Sequence, residues 1–341
     1  MKENYKPWHV QIDHFPKQGS LKEQFLFLLR FAILAPSGHN SQPWEFSIDN
    51  NSILIRFNEE RSLKQSDPSG RQLLIGIGCA LENLLTSADY YGFKSDVFYL
   101  PDQKKPNLVA NVSFQKQGNL SKSNQHLIFA IPQRSTNRNK YKGELPSADF
   151  IREIKDSSQG DFNTHVITDT KTKSIIADIV NIAQIEVMEE GLFREELSHY
   201  IKSNLTKSKI GMPGFTLGMP LLVSLIASRL IKRINMSKKT IKKDDALLKK
   251  FTPSFVIIST AVDDKISWIK VGQLFERIWL KAVSRGLSCA PLAAPVQVGE
   301  YFKEIQKILN LKHRPQIFFR MGYCDNSVKH SPRLDIADVL K

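Results

Sequence analysis

Apolar residues recur at helical spacing over residues 21–35 (Leu21, Phe25, Leu28, Leu29, Ala32, Ile33), and Pro36, Ser37 and Gly38 then stop the helix. A strand is expected at 44–49, and Asn50 and Asn51 turn the chain into a second at 53–57. Asp67, Pro68, Ser69 and Gly70 turn it again before a long helix over about 71–91. That helix has a counterpart near the other end of the chain. The stretch IGIGCALENLLTSADYYGF, from Ile75, aligns without gaps on IKVGQLFERIWLKAVSRGL, from Ile269. Gly78 pairs with Gly272, Glu82 with Glu276, Ala88 with Ala282 and Gly92 with Gly286. Each helix ends in a glycine suited to a left-handed cap, and a strand led by proline lies beyond each, at 106–114 and 315–322.

The pattern predicts two copies of one unit, each running helix, strand, strand, helix, strand. The copies are expected at 1–125 and 126–341. The second carries an insertion over about 188–250, between its early helix and a strand at 255–260. That segment exceeds ordinary connections and has the length of a lid or binding segment.

Composition adds limits. The chain of 341 residues is 41% apolar, enough for a substantial core. Residues 1–10 lack the apolar run of a signal peptide, and Cys79, Cys289 and Cys324 lie far apart, so buried thiols in a reducing, cytoplasmic setting are expected. The net charge of +14 is concentrated: twelve Lys or Arg fall within 201–250 against Asp244 and Asp245, a local excess of +10. No zinc-finger, basic-zipper or aromatic RNA-binding signature accompanies the run, so it reads as a solvated surface and no nucleic-acid partner is expected. Residues 210–228 are uncharged and flanked by lysines and arginines, the pattern of a membrane-surface segment, yet Gly211, Gly214, Gly218, Pro213 and Pro220 argue against a membrane-spanning helix; no membrane partner is expected, and a lid over 209–229 is expected rather than a membrane anchor or a third domain.

The stretch Pro36-Ser37-Gly38-His39-Asn40-Ser41-Gln42-Pro43-Trp44 places a turn at a helix end, where backbone amides and a hydroxyl are presented and Asn40 and Gln42 offer donors and acceptors. It resembles the signature of the FMN-dependent nitroreductase family, and its SGHN form resembles the Acg-like subgroup. The resemblance covers most of the chain, leaving out the insertion and about the first twenty residues. In that family the loop covers a flavin held mainly by the neighbouring subunit. Arg134-Ser135-Thr136-Asn137-Arg138 is similar to the family's phosphate-binding segment with one residue inserted, and two guanidiniums and a hydroxyl suit a phosphate dianion. The segment ending Pro291-Leu292-Ala293-Ala294 resembles the strand beside the flavin ring, where small residues let a main chain approach a flat surface. Family members often carry an acidic residue and a glycine at the last two of these positions. Ser331-Pro332-Arg333 resembles the tail that brings a further arginine to the phosphate.

The resemblance implies an α+β fold, a nitroreductase-like α/β/α sandwich in two tandem copies that form an internal pseudo-dimer. The covering loop occurs only in the first copy and the other three segments only in the second, so one FMN per chain is expected, in a monomer, between the halves. The expected activity is reduction of a nitroaromatic, quinone or similar small electrophile, by ping-pong kinetics where NAD(P)H is the donor. The alternative is a low-turnover, flavin-sequestering protein closed by its insertion. No catalytic residue and no metal ligand is assigned; His39 reads as a hydrogen-bonded loop histidine.

Overall fold

The computed structural model describes residues 2–117, 126–235, 237–325 and 328–341; the expected end of the first copy at 125 lies outside the described residues. Ser20 starts α1 (Leu21–Ala32) with a reciprocal cap: its hydroxyl accepts from the Glu23 amide, and the Glu23 carboxylate accepts from the Ser20 amide. The hairpin β1 (Trp44–Asp49) and β2 (Ser52–Phe57) turns at Asn50, which adopts a positive φ of 51°. There follow α2 (Arg71–Tyr90), β3 (Phe93–Tyr99) and β4 (Leu108–Lys116). The strand β3 is an addition to the expected order. Its sequence FKSDVFY alternates with charge because it lies at the sheet edge with one side in water.

After α3 (Leu127–Ala130) and α4 (Ala148–Asp156) come β5 (Phe162–Ile167), α5 (Thr170–Glu189) and α6 (Gly191–Tyr200). A small parallel pair, β6 (Ile201–Lys202) and β7 (Met212–Pro213), leads to α7 (Leu221–Arg233) and α8 (Ser237–Lys250). The chain continues as β8 (Ser254–Thr260), α9 (Lys265–Val283), β9 (Leu287–Pro291), α10 (Ala294–Gln297), α11 (Tyr301–Leu309), β10 (Arg314–Tyr323) and α12 (Ile336–Val339).

Two antiparallel four-stranded sheets result, ordered β1-β2-β4-β3 and β5-β8-β10-β9, with the same topology strand for strand. The first sheet joins its opening strands by a tight turn at Asn50 and Asn51. The second places everything from α5 to α8 at that point, so the insertion begins just after β5 rather than near 188. Its centre is only partly irregular: Gly and Pro break the chain up to Pro220, after which 221–233 is helical. In β8 every residue is buried. Val256 and Ile258 face the main core, while Phe255 and Ile257 face a second apolar cluster with Ile176 and Val180 of α5. By contrast β2 buries Ile53 and Ile55 alone, so the first sheet is covered on one side.

The core between the sheets is built on α2 against α9. A Cβ on Gly78 would lie 2.0 Å from the Ile269 carbonyl oxygen, and a Cβ on Gly272 would lie 2.0 Å from that of Ile75. Each contact maps onto the other through the alignment found in the sequence. Such reciprocity is the mark of a two-fold contact, here made within one chain.

Candidate functional site

The loop after α1 is backbone under strain. His39, Asn40 and Gln42 all have positive φ, at 50°, 56° and 50°, a region that side chains rarely occupy. Hydrogen bonds hold them there. The Asn40 amide group donates to the carbonyls of Gly211 and Pro332, both at 3.0 Å, and its oxygen accepts from Arg333 at 2.6 Å. Fully buried, Gln42 donates to the Lys209 carbonyl at 2.7 Å and accepts from the Leu334 amide at 2.9 Å. The Ser37 hydroxyl accepts from the Gln42 amide. Insertion, tail and covering loop are thereby tied into one unit.

A cavity of about 620 Å³ opens beneath this loop, within the range of sites for cofactors and comparable ligands. Its wall brings together Pro36, Ser37, Gly38 and Asn40 from the first half, Arg134, Ser135 and Arg138 from the start of the second, Pro291 to Ala294 at the end of β9, and Arg333 from the tail. Gln42 alone of the expected residues stands outside the wall, behind the loop. The strand ends at Pro291. The Leu292 amide still donates to the Phe318 carbonyl at 2.8 Å, and Ala294 already begins α10.

The extra residue in the arginine segment has a defined place. Asn137 is buried, its amide N–H donates to the Cys289 carbonyl at 3.1 Å, and its side chain donates to the Ser288 hydroxyl, clamping the segment onto β9. Arg138 then faces the cavity and donates to the Thr216 carbonyl of the insertion at 3.3 Å. Arg320, which the sequence offered no reason to select, supports the same segment by donating to the Asn137 and Asn139 carbonyls.

Cationic charge dominates one part of the wall. Arg134 and Arg333 are buried, and Arg134 lies 3.1 Å from the carboxylate of fully buried Glu276 without hydrogen-bond alignment. Burial and the neighbouring Arg134 hold the Arg333 guanidinium well below its usual range. Burial pushes the Glu276 carboxyl up, to about 7, against the pull of Arg134. Lys329 and Ser331 join the same wall. The Arg134 Nε faces Glu276, whereas the Arg333 Nε has no hydrogen-bond partner among the described residues, and Arg134, Lys329 and Arg333 outnumber that one carboxylate, so this cluster fits an anionic group that would complete it. The small side chains at Ala293 and Ala294 leave room beside it.

Other wall residues escaped the sequence reading. Trp8 stacks on His330 at 3.9 Å, donates to the Ser331 carbonyl at 2.8 Å and lies under the Arg333 guanidinium, so the N-terminal segment braces the cation cluster. A lone tryptophan far from any motif carried no signal of this. Arg71, at the start of α2, is buried and held at about 10 by burial and by Arg314; it donates to the carbonyls of Gln316 and Val296 and to Gln297. The Ser66 hydroxyl donates to Glu196 of α6 at 2.5 Å and so accepts from the His39 Nε2 at 3.1 Å. Burial lowers His39 to about 4, so it is neutral near pH 7. Burial raises the Cys79 and Cys289 thiols, which makes them poor nucleophiles.

Doubled sheets, the two-fold helix pair and a cavity between halves define a nitroreductase-fold protein. No protein-family model matches the chain. It is 23% identical over 334 residues, 96% of this chain and 93% of the relative, to a Mycobacterium tuberculosis protein named "Putative NAD(P)H nitroreductase". It is also 21% identical over 309 residues to a protein of the same species named "Putative NAD(P)H nitroreductase acg", covering 86% of this chain and 87% of that one. Among solved structures, one described as a "putative nitroreductase" from Anabaena variabilis superposes with a TM-score of 0.54 at 10% identity, covering 95% of this chain and 92% of that one. The likeness to the Acg-like group of the nitroreductase family therefore runs along nearly the whole chain.

Proposed function

We propose that the chain binds one FMN in the cavity between its two halves and acts as an oxidoreductase, passing electrons from NAD(P)H to a nitroaromatic, quinone or similar small electrophile. The observation that carries this reading is the convergence of Arg134, Ser135, Arg138 and Arg333 with the loop Pro36 to Asn40 and the end of β9 on one cavity. The cation cluster would hold the phosphate, and Ser135 and Ser331 would add hydroxyl donors. Ala293 and Ala294 would leave the ring's edge open to the main chain. FMN bound there supplies the transfer of a hydride or of single electrons that the side chains themselves do not provide. The wall's own task is to bind, orient and exclude water. Donor and acceptor would use this cavity in turn, giving ping-pong kinetics, and the internal two-fold would let a monomer suffice.

A second reading is favoured by one feature: Phe193, Leu197, Met212, Leu217 and Ile231 of the insertion also line the cavity. With that cover shut, the protein would hold flavin with little turnover. Purified protein is first assayed for flavin by acid release; about one FMN per chain is expected, and none, or two, overturns the single-site reading. Steady-state oxidation of NAD(P)H with a nitroaromatic then separates enzyme from flavin holder.

A further inference from the structure

In α7 the usual arrangement of an amphipathic helix is inverted. Its inner face is built of small residues: Ser224 and Ala227 are buried, the Ser224 hydroxyl accepts from the Asn204 amide at 3.0 Å, and the Ser228 hydroxyl donates to the Ser198 carbonyl at 2.8 Å. Its outer face carries the large apolar side chains, with Leu222 77% exposed, Ile226 54%, Leu225 50%, Leu221 44% and Val223 43%. Leu205, 59% exposed, adds to the same end, because its neighbour Asn204 is bonded to the Met219 carbonyl and the Phe215 amide just before the helix. A row of this kind facing water is not the way a helix normally meets solvent.

Charge narrows what covers it. On the outward stripe of α7, Leu222, Leu225 and Ile226 are followed by exposed Arg229 and Arg233, and Lys207 is exposed beside Leu205. Lys232 on the same helix pairs with Glu195, so Lys207, Arg229 and Arg233 are the basic end of this face. Two copies meeting through this face would bring these cations together, which disfavours a self-contact. An apolar row continuing into a basic end matches instead the acyl boundary and headgroups of an anionic bilayer, with the helix lying in the interface. The described residues contain no helix long and apolar enough to span a membrane, which leaves docking at the surface.

We infer that the outer face of α7, with Leu205, is a docking surface for an anionic lipid bilayer. The inner side of the same segment, through Leu217 and Ile231, lines the cavity, so docking sets the cavity's cover against the membrane. The inference does not depend on which cofactor the cavity holds.

Flotation of the full chain with vesicles of phosphatidylcholine alone, or mixed with phosphatidylglycerol, tests it. Binding to the mixed vesicles is expected, weak or absent binding to the neutral ones, and release by on the order of 0.5 M salt, since the attraction is screened. Leu222→Glu with Ile226→Glu is expected to reduce binding at least about tenfold, and Arg229→Glu with Arg233→Glu to remove the preference for anionic vesicles. Both sites are at the surface, and far-ultraviolet circular dichroism confirms folding; Leu222→Ala with Ile226→Ala, a milder change, is expected to weaken binding less. No flotation with anionic vesicles overturns the inference, as does binding that the Leu222 and Ile226 variants leave unchanged. A dimer in analytical ultracentrifugation that Leu222→Glu abolishes, without vesicle binding, assigns the face to a second copy and also overturns it.

Discussion

Gly78→Ala puts one methyl group at the crossing of α2 and α9, where its nearest neighbour, the Ile269 carbonyl oxygen, lies 2.0 Å away and the Gly272 Cα 3.0 Å away. Ordinary contact needs about 3.4 Å or more, so the helices must part by roughly an ångström along much of their packed length. Helix propensity acts in the opposite direction, favouring Ala over Gly by about 1 kcal/mol in a helix interior. The overpacking penalty of about 1–3 kcal/mol, raised here because the obstacle is backbone rather than a movable side chain, outweighs that gain. A net loss of about 1–2 kcal/mol is therefore expected from denaturant unfolding. Gly76→Ala, two residues earlier in the same helix, is the control: its Cβ would meet only the Pro36 carbonyl at 3.5 Å and Ser37 at 3.6 Å, so it should be neutral or stabilising. Gly272→Ala should cost as much as Gly78→Ala, and the double variant less than the sum, because the first methyl already parts the helices. Stabilisation by Gly78→Ala to the same degree as Gly76→Ala would refute the close two-fold crossing.

Three further outcomes are expected. Arg134→Ala should weaken FMN binding about tenfold to a hundredfold, equivalent to about 1.5–3 kcal/mol for one charge-assisted contact, as read by fluorescence titration; unchanged affinity would place the anchor elsewhere. Stability should fall as pH drops from about 6.5 towards 4, because burial holds His39 and His330 at about 4, so that their neutral folded forms are stable above the ordinary histidine range and are lost on protonation. The contribution of His39 is at most about 3 kcal/mol and is reduced by its partial exposure; His39→Asn, which tolerates the positive φ, should flatten the urea midpoint against pH. Leu217→Ala with Ile231→Ala should speed flavin reduction by NADPH or dithionite in stopped flow, and an unchanged rate would mean that the insertion does not limit access.

Much of the scaffold was legible because it repeats a simple signal. The α2 and α9 periods, their glycines and the β-branched run of β8 each answer to local rules. The edge strand β3 was not, since its outward lysine and aspartate give it the polarity of a loop. The start of the insertion was misplaced because α5 reads as an ordinary early helix, and its lack of a counterpart shows only once the sheets are compared. In the site, the arginines and the covering loop stood out as clustered chemistry. Trp8, Arg71 and Arg320 act on the wall from distant positions in the chain, and only the fold reveals that adjacency. Gln42 was chosen for its donors and acceptors, and those are spent on Lys209 and Leu334 behind the loop.

The repeated scaffold also shows how a two-fold core supports a one-sided site. Glu82 and Glu276 occupy equivalent positions, yet they have different partners. Buried Glu82 receives both Nε and Nη2 of half-exposed Arg277, at 2.6 and 3.0 Å, away from the cavity wall. The position equivalent to Arg277 in the first half is Asn83, which is buried and donates to the Phe31 carbonyl. Asn83 offers Glu276 an amide rather than a cation, so the charge that faces this carboxylate is that of Arg134, the cation proposed to hold the phosphate, with Arg333 beyond it. One asymmetric substitution in a symmetric helix pair thus directs a buried carboxylate towards the cavity on one side and away from it on the other. Glu276→Gln, which keeps the shape and removes the charge, should weaken FMN binding more than it weakens the fold, because Arg134 loses the carboxylate that holds it. Equal affinity in that variant, with the protein still folded, would show that Arg134 needs no partner in Glu276.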